Sequence, residues 1–261
     1  MYTARVVSDW DPAKYLEFAG PRLQPAVDLL ARVPLASPAV VYDLGCGAGN
    51  VTRLLHARWP EAELTGVDGS AAMLAAAAKA APGIRWVQAD LAAWRAPRPA
   101  EVIYSNAALH WLDDHPRLFP RLVAELAPGG VLAVQMPRNH GAPSHTEMVA
   151  AAAAGPWRER LEPLLRRAPV APPAAYYDVL GPVASRVEIW ETEYLHVLEG
   201  DNPVVEWVRG SALRPLLDAL EEPDRSAFLA DYTRRIADAY RRRADGRTLL
   251  PFRRLFILAG R

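Results

Sequence analysis

The residues best placed to do chemistry lie in one short stretch, VVYDLGCGAGN, Val40 to Asn50, where an apolar strand runs into Gly45, Gly47 and Gly49. Glycines directly after a strand let the backbone approach a nucleotide closely, so the candidates are a dinucleotide, a triphosphate, or a nucleoside carrying some other group. A dinucleotide loop of the form G-x-G-x-x-G would need its third glycine at position 50, where Asn50 stands. A triphosphate loop would end in Gly-Lys-Ser/Thr, which is absent. Asp43, just ahead of the glycines, would repel a pyrophosphate and attract an ammonium or sulfonium group. The balance favours a cationic nucleoside. Asp68 ends the next apolar run, where a carboxylate can accept hydrogen bonds from both hydroxyls of a ribose. Asp90 follows the third, placed to meet the amino edge of an adenine.

Such residues need a scaffold that gathers strand ends. Strand-like runs recur at Val40 to Leu44, Leu64 to Val67, Ile84 to Gln88, Val102 to Ser105 and Val131 to Met136. Segments with helical spacing separate them. Val51, Leu54, Leu55 and Arg58 share one helical face, as do Leu118, Phe119, Leu122, Val123 and Leu126 before Pro128 to Gly130 stops the helix. This alternation predicts a parallel sheet covered by helices, with ligands at the carboxyl ends of its strands. After Met136 the pattern breaks. Two further strand-like runs, Arg186 to Tyr194 and Pro251 to Ala259, follow helical segments, so 140–184 and 195–250 read as helical cap insertions in a single domain spanning 1–261. Phe228, Tyr232, Ile236 and Tyr240 recur every fourth residue and read as a core stripe.

Composition narrows the function classes. The 261 residues are 51% hydrophobic, enough for a sizeable core, and 30 Lys plus Arg balance 30 Asp plus Glu. The chain lacks the basic excess that nucleic-acid binding uses. It shows neither a membrane-spanning apolar run nor a secretory leader at its start, so a cytoplasmic protein acting on a small molecule is expected, with a monomer as the default quaternary state. Cys46 is the only cysteine and reads as a small packing residue behind the loop. His140 and His145 have no acidic companions, and no metal is expected.

Four stretches in sequence order, DLGCGAGN, GVDGS, QADLAAW and SNAALHWL, resemble the successive motifs of class I S-adenosylmethionine-dependent methyltransferases. The resemblance implies an α/β fold with a doubly wound, mostly parallel seven-stranded Rossmann-like sheet whose last strand runs antiparallel. It also implies an S-adenosylmethionine site made by Asp43, Gly45, Gly47, Asp68, Met73, Asp90, Leu91 and Asn106. WDPAKYLEFAGPR, GGVLAVQMPRN, PSHTEM, EWVRGSALRP and LLPFRRLFILA extend it, over almost the whole chain, to the trans-aconitate methyltransferase family. Two positions depart from that family's pattern, His110 in place of a Gln and Arg138 in place of an acidic residue.

The implied reaction esterifies one carboxylate of a small polycarboxylic acid, trans-aconitate first in line. A carboxylate is already ionised at neutral pH, so no catalytic base is needed. Rate would come from holding the oxygen in line with the methyl carbon and from excluding water. The carboxylates that do not react need a grip, for which bidentate arginine is suited. Arg138, Arg209 and Arg254 are the candidates, with Arg214 and Arg253 behind them, and Trp10, Tyr15, Tyr176 and Tyr177 as walls or hydroxyl donors. The alternative is a methyltransferase acting on another small-molecule hydroxyl or amine acceptor, with His110 as the base.

Overall fold

The computed structural model describes residues 20, 23–165 and 169–261; Trp10 and Tyr15 lie outside them. Helix α1 (Gln24–Arg32) leads into strand β1 (Val40–Leu44), whose five residues are all buried. Burial of every residue is the mark of a parallel strand covered on both faces. The loop that follows opens directly into α2 (Asn50–Arg58), and then come β2 (Glu63–Asp68), α3 (Ala71–Ala80), β3 (Arg85–Gln88) and β4 (Ala100–Asn106). Helix α4 (His115–Ala124) joins β4 to β5 (Leu126–Pro137). Pairing is parallel from β3 through β2, β1 and β4 to β5, and the full strand order is β3-β2-β1-β4-β5-β7-β6, with β6 at Arg186–Leu198 and β7 at Thr248–Gly260. Gly129 and Gly130 exchange hydrogen bonds with Arg261, while Arg138 bonds Arg253, so β7 runs antiparallel to β5. This is the seven-stranded, mostly parallel sheet that the alternating pattern and the resemblance lead one to expect.

One boundary differs from the sequence reading. Leu126 is not on the last turn of α4. The helix ends at Ala124, and Leu126 pairs with Ala100 across an irregularity at the start of β4. Pro128 to Gly130 therefore lie inside β5, where Gly129 takes φ 80° and its N–H bonds Arg261 instead of terminating a helix.

The chain divides into two compact units. The first holds the described residues up to Pro137 together with Val170–Glu191 and Leu255–Arg261. Its sheet carries α1 on one face, where the Tyr104 hydroxyl donates to the Ala26 carbonyl (2.6 Å). On the other face α4 and α7 (Pro173–Leu180, following α5 and α6 below) bring Phe119, Leu122, Tyr176 and Leu180 against Ile103, Leu132 and Val134. Each such aromatic or leucine contributes about 1.5–3 kcal/mol by leaving water.

The second unit holds Arg138–Pro169 and Thr192–Arg254. It is helical, with α5 (Pro143–Ala154), α6 (Arg158–Leu161), α8 (Pro203–Arg209), α9 (Arg214–Asp218) and α10 (Asp224–Ala239) around a core of Met148, Trp157, Val205, Leu216 and Phe228. The stripe on α10 behaves as its spacing predicts. Phe228, Tyr232 and Ile236 are buried, and the Tyr232 hydroxyl donates to the Ser144 carbonyl (2.7 Å). No described helix is long and apolar enough to cross a membrane.

Candidate cofactor site

The loop after β1 is stitched to the next strand. The Gly45 and Cys46 N–H groups both donate to the Val67 carbonyl (2.8 and 3.1 Å), and Gly49 N–H closes the turn on the Cys46 carbonyl (3.0 Å). Gly45 has φ 77°, and a β-carbon there would lie 2.0 Å from Cβ of Ala108. Only glycine lets the loop after β4 come this close. Gly47, at φ 53°, faces open space among the described residues, none of which lies within 4 Å of where its β-carbon would be. The bare backbone at Gly47 is thus accessible to a ligand, while the backbone at Gly45 is pressed against its neighbour. Cys46 is buried behind them, and burial together with the Asp43 and Asp68 carboxylates pushes its thiol well above the ordinary range, which leaves it inert.

Three carboxylates lie at or near the strand ends. Asp43 is fully buried and accepts a 2.6 Å hydrogen bond from the Thr52 hydroxyl on α2. Burial pushes its pKa up to about 7; the Thr52 hydroxyl opposes this and nearby Asp68 adds to it. A cation bound near the loop would find a carboxylate able to ionise in response. Asp68 accepts from Gly47 N–H at Oδ2 (2.9 Å) and from Ser70 N–H at Oδ1 (2.8 Å). Each oxygen keeps a second lone pair, enough for the two hydroxyls of a ribose. Asp90 is exposed and accepts from Ala92 N–H at Oδ1 (2.9 Å), an arrangement that leaves Oδ2 for a ligand donor. Met73 is half exposed in the first turn of α3, where Ser70 caps the helix by accepting from the Met73 N–H (3.3 Å). Leu91 is buried beneath the turn. Asn106, at the end of β4, has a buried Oδ1 with no hydrogen-bond partner among the described residues.

Three residues that matter here were not singled out from the sequence. Thr52 bonds the buried carboxylate from nine residues away. Arg121 on α4 donates to the carbonyls of Leu91 (3.3 Å), Ala92 (2.8 Å) and Trp94, clamping the turn that presents Asp90 and Leu91. Among so many surface arginines nothing in its local sequence marks it. Gln135 did carry a signal: it is a polar residue inside the apolar run Val131 to Met136, and the structure buries it completely.

The turn after β4 is fixed from below. His110 lies in a 3-10 turn, Leu109–Trp111, buried with its ring 4.8 Å from that of Trp111. His115 holds the turn through Nε2 and the Leu109 carbonyl (3.0 Å), and its Nδ1 meets the Tyr176 hydroxyl at 2.6 Å. A carbonyl only accepts, so Nε2 carries a proton, and Nδ1 is left to pair with the Tyr176 hydroxyl. Tyr176 is therefore a core residue of α7 rather than a wall of an acid site, whereas Tyr177 next to it is 60% exposed.

The arginine candidates belong to the second unit. Arg254 is buried, with its guanidinium 4.7 Å over the Phe252 ring, and Arg138 is partly buried at the end of β5. Arg209 is paired with Glu206 (2.9 Å) on the surface of α8, Arg214 with Asp218 (3.4 Å) and Arg253 with Glu193 (3.8 Å). Such exposed pairs are what solvated arginines form. Of these candidates, Arg254 is buried and Arg138 has its Nε buried, whereas Arg209, Arg214 and Arg253 are exposed. Among the described residues no group of three His, Cys, Asp or Glu is arranged to hold a metal ion.

Residues 41–130 match the family model described as a methyltransferase domain. Over 252 residues the chain is 50% identical to trans-aconitate 2-methyltransferase of Azoarcus sp. (strain BH72), covering 97% of this chain and 99% of that one. It is 50% identical to the protein of the same name from Rhodopseudomonas palustris (strain BisB18) and 48% to that of Yersinia pestis (strain Pestoides F), each over 254 residues and 97% of this chain, covering 99% and 98% of those proteins. Among solved structures, the YcgJ protein of Bacillus subtilis superimposes with a TM-score of 0.59 at 14% identity, covering 90% of this chain and 96% of that one. An S-adenosylmethionine-dependent methyltransferase of Mesorhizobium loti gives 0.51 at 25% identity, covering 93% and 99%.

Proposed function

The chain belongs to the trans-aconitate 2-methyltransferase family, and from that premise we propose that it transfers a methyl group from S-adenosylmethionine to one carboxylate of trans-aconitate, giving a monomethyl ester. The observation that carries this is the half-identity over 97% of the chain, which includes the helical segments of the second unit as well as the cofactor motifs. The first unit suits the nucleoside. Gly47 presents open backbone, Asp68 keeps two free lone pairs, and the orphaned Oδ1 of Asn106 awaits a donor such as an ammonium group.

When bound, the cofactor supplies an electrophilic methyl carbon: a carboxylate lone pair forms the new C–O bond, the C–S pair stays on sulfur, and no proton moves. The chain's own residues then have three tasks. Asp68 and Asp90 position the nucleoside through hydrogen bonds. Asp43 provides a buried negative charge near the loop, which favours a cation over its neutral product. Arg254 and Arg138 grip carboxylates of the acid that do not react, and within the insertions 140–184 and 195–250 the helices of the second unit, not α7, serve as the acid's cap, keeping water out. Tyr177, Arg209, Trp10 and Tyr15 complete the proposed acid contacts, and a cytoplasmic monomer that binds no nucleic acid is part of the same reading. Incubating the protein with S-adenosylmethionine and trans-aconitate, then weighing the products by mass spectrometry, tests it. A monomethyl ester with matching S-adenosylhomocysteine is expected; no ester with any polycarboxylic acid would refute it.

A further inference from the structure

Gln135 is fully buried, and among the described residues neither its Oε1 nor its Nε2 has a hydrogen-bond partner. A buried amide left unpaired at both ends bears the whole cost of its desolvation, and a native fold keeps such a group where something else completes it. Its neighbours Val134 and Met136 point into the core that contains Phe119 and Leu122. Strand alternation places Gln135 on the opposite face, the one on which Tyr104 reaches α1.

Its position in the sheet is informative. Gln135 is in register with Asn106 on the adjacent strand, so the two side chains stand on one face about 4.8 Å apart, the spacing of neighbouring strands. Both belong to the carboxyl ends of their strands, and Ala107 N–H bonds the Gln135 carbonyl just beyond (2.9 Å). In sheet order the polar groups run from Asp90 after β3 through Asp68 on β2 and the loop after β1 to Asn106 on β4. β5, with Gln135, is next. On the proposed function, the first four positions serve the cofactor, whose sulfonium methyl lies between its ribose and its amino-acid chain, and β5 is the strand end next to that row.

We propose that Gln135 binds the carboxylate that reacts, its Nε2 donating to one oxygen and leaving the other for the methyl carbon. This deepens the proposed function and rests on it. An arginine in this role would stabilise negative charge that the reaction removes, opposing the transition state. A neutral amide orients the group with a weaker hold on its charge. Burial fixes the amide and keeps water from competing for it.

The test uses the intact protein loaded with S-adenosylhomocysteine. Gln135→Met keeps the volume and removes both polar atoms. Calorimetric titration with trans-aconitate should show binding weakened about tenfold or more, with kcat/KM falling in step. The affinity for S-adenosylhomocysteine should stay within about twofold, and the melting temperature should be unchanged or higher, since an unpaired amide is gone. Gln135→Glu gives a second reading: its turnover should rise from about pH 8 towards about pH 6 as its carboxyl gains a proton and becomes a donor, a gain the wild type lacks. Unchanged acid binding in both variants would overturn the proposal. So would parallel loss of S-adenosylhomocysteine affinity, which would assign the amide to the cofactor. A wild-type protein that methylates no polycarboxylic acid would instead overturn the proposed function, and this inference with it.

Discussion

Asp43→Asn offers the sharpest test of how the loop works, because it keeps the shape of a buried side chain and removes its charge. The folded protein holds the Asp43 proton up to about pH 7, against an ordinary value of 3.8 for the exposed group. A folded-state value above the unfolded one means that the stabilisation is full below the unfolded pKa and is lost as pH rises through 7. The gap of about 3 pH units is worth about 4 kcal/mol in all, and about 2 kcal/mol of it disappears between pH 5.5 and pH 8. In a chain of this size that is a fall of about 4–8 °C in melting temperature. Melting the ligand-free wild type and Asp43→Asn across this range should show a wild-type curve that loses this amount relative to the variant. Parallel curves would refute the burial argument. The ligand prediction follows from the same charge. S-adenosylmethionine, carrying a sulfonium, should gain affinity over neutral S-adenosylhomocysteine as pH rises through 7, with proton release on binding, and Asp43→Asn should flatten both effects. If that affinity ratio is the same at both pH values and in both proteins, Asp43 acts through shape alone.

Other consequences are checked by single substitutions. Gly45→Ala places a β-carbon 2.0 Å from Cβ of Ala108 at φ 77° and should cost about 2–4 kcal/mol and most cofactor binding, read by urea unfolding and S-adenosylhomocysteine titration. Arg121→Met releases the carbonyls of Leu91, Ala92 and Trp94, and S-adenosylhomocysteine should bind about tenfold more weakly than to the wild type. Tyr176→Phe leaves Nδ1 of His115 buried without its hydrogen-bond partner and should destabilise by about 1–3 kcal/mol, seen in denaturant midpoints.

The sheet was legible because its strands are short apolar runs between helices of clear period, and a buried parallel strand writes itself as continuous apolar sequence. The miss at Leu126 has a local cause. Leu126 keeps the helical spacing of Leu118 and Leu122, and only the partner strand, some 26 residues earlier at Ala100, makes it a strand residue. The loop and carboxylate placement from which a cofactor site is proposed was legible through glycine spacing and acidic residues near strand ends, since both follow from chain-local geometry. Arg121 acts across 27 to 30 residues and Thr52 reaches from α2 back to β1, and their types are common enough on surfaces to carry no signal. Tyr176 reads as a wall residue in sequence, but its hydroxyl serves His115 in the core. Gln135 is the intermediate case, visible as a polar interruption of an apolar run, yet informative only once its burial and its register with Asn106 are known.

The most direct measurement is mass spectrometry of the purified protein incubated with S-adenosylmethionine and, separately, trans-aconitate, cis-aconitate, citrate, isocitrate and a long-chain fatty acid. The account predicts a monomethyl ester of trans-aconitate with an equal amount of S-adenosylhomocysteine. Cofactor binding without an ester of any of these acids would contradict it and move the acceptor to hydroxyl or amine compounds, with His110 as the base.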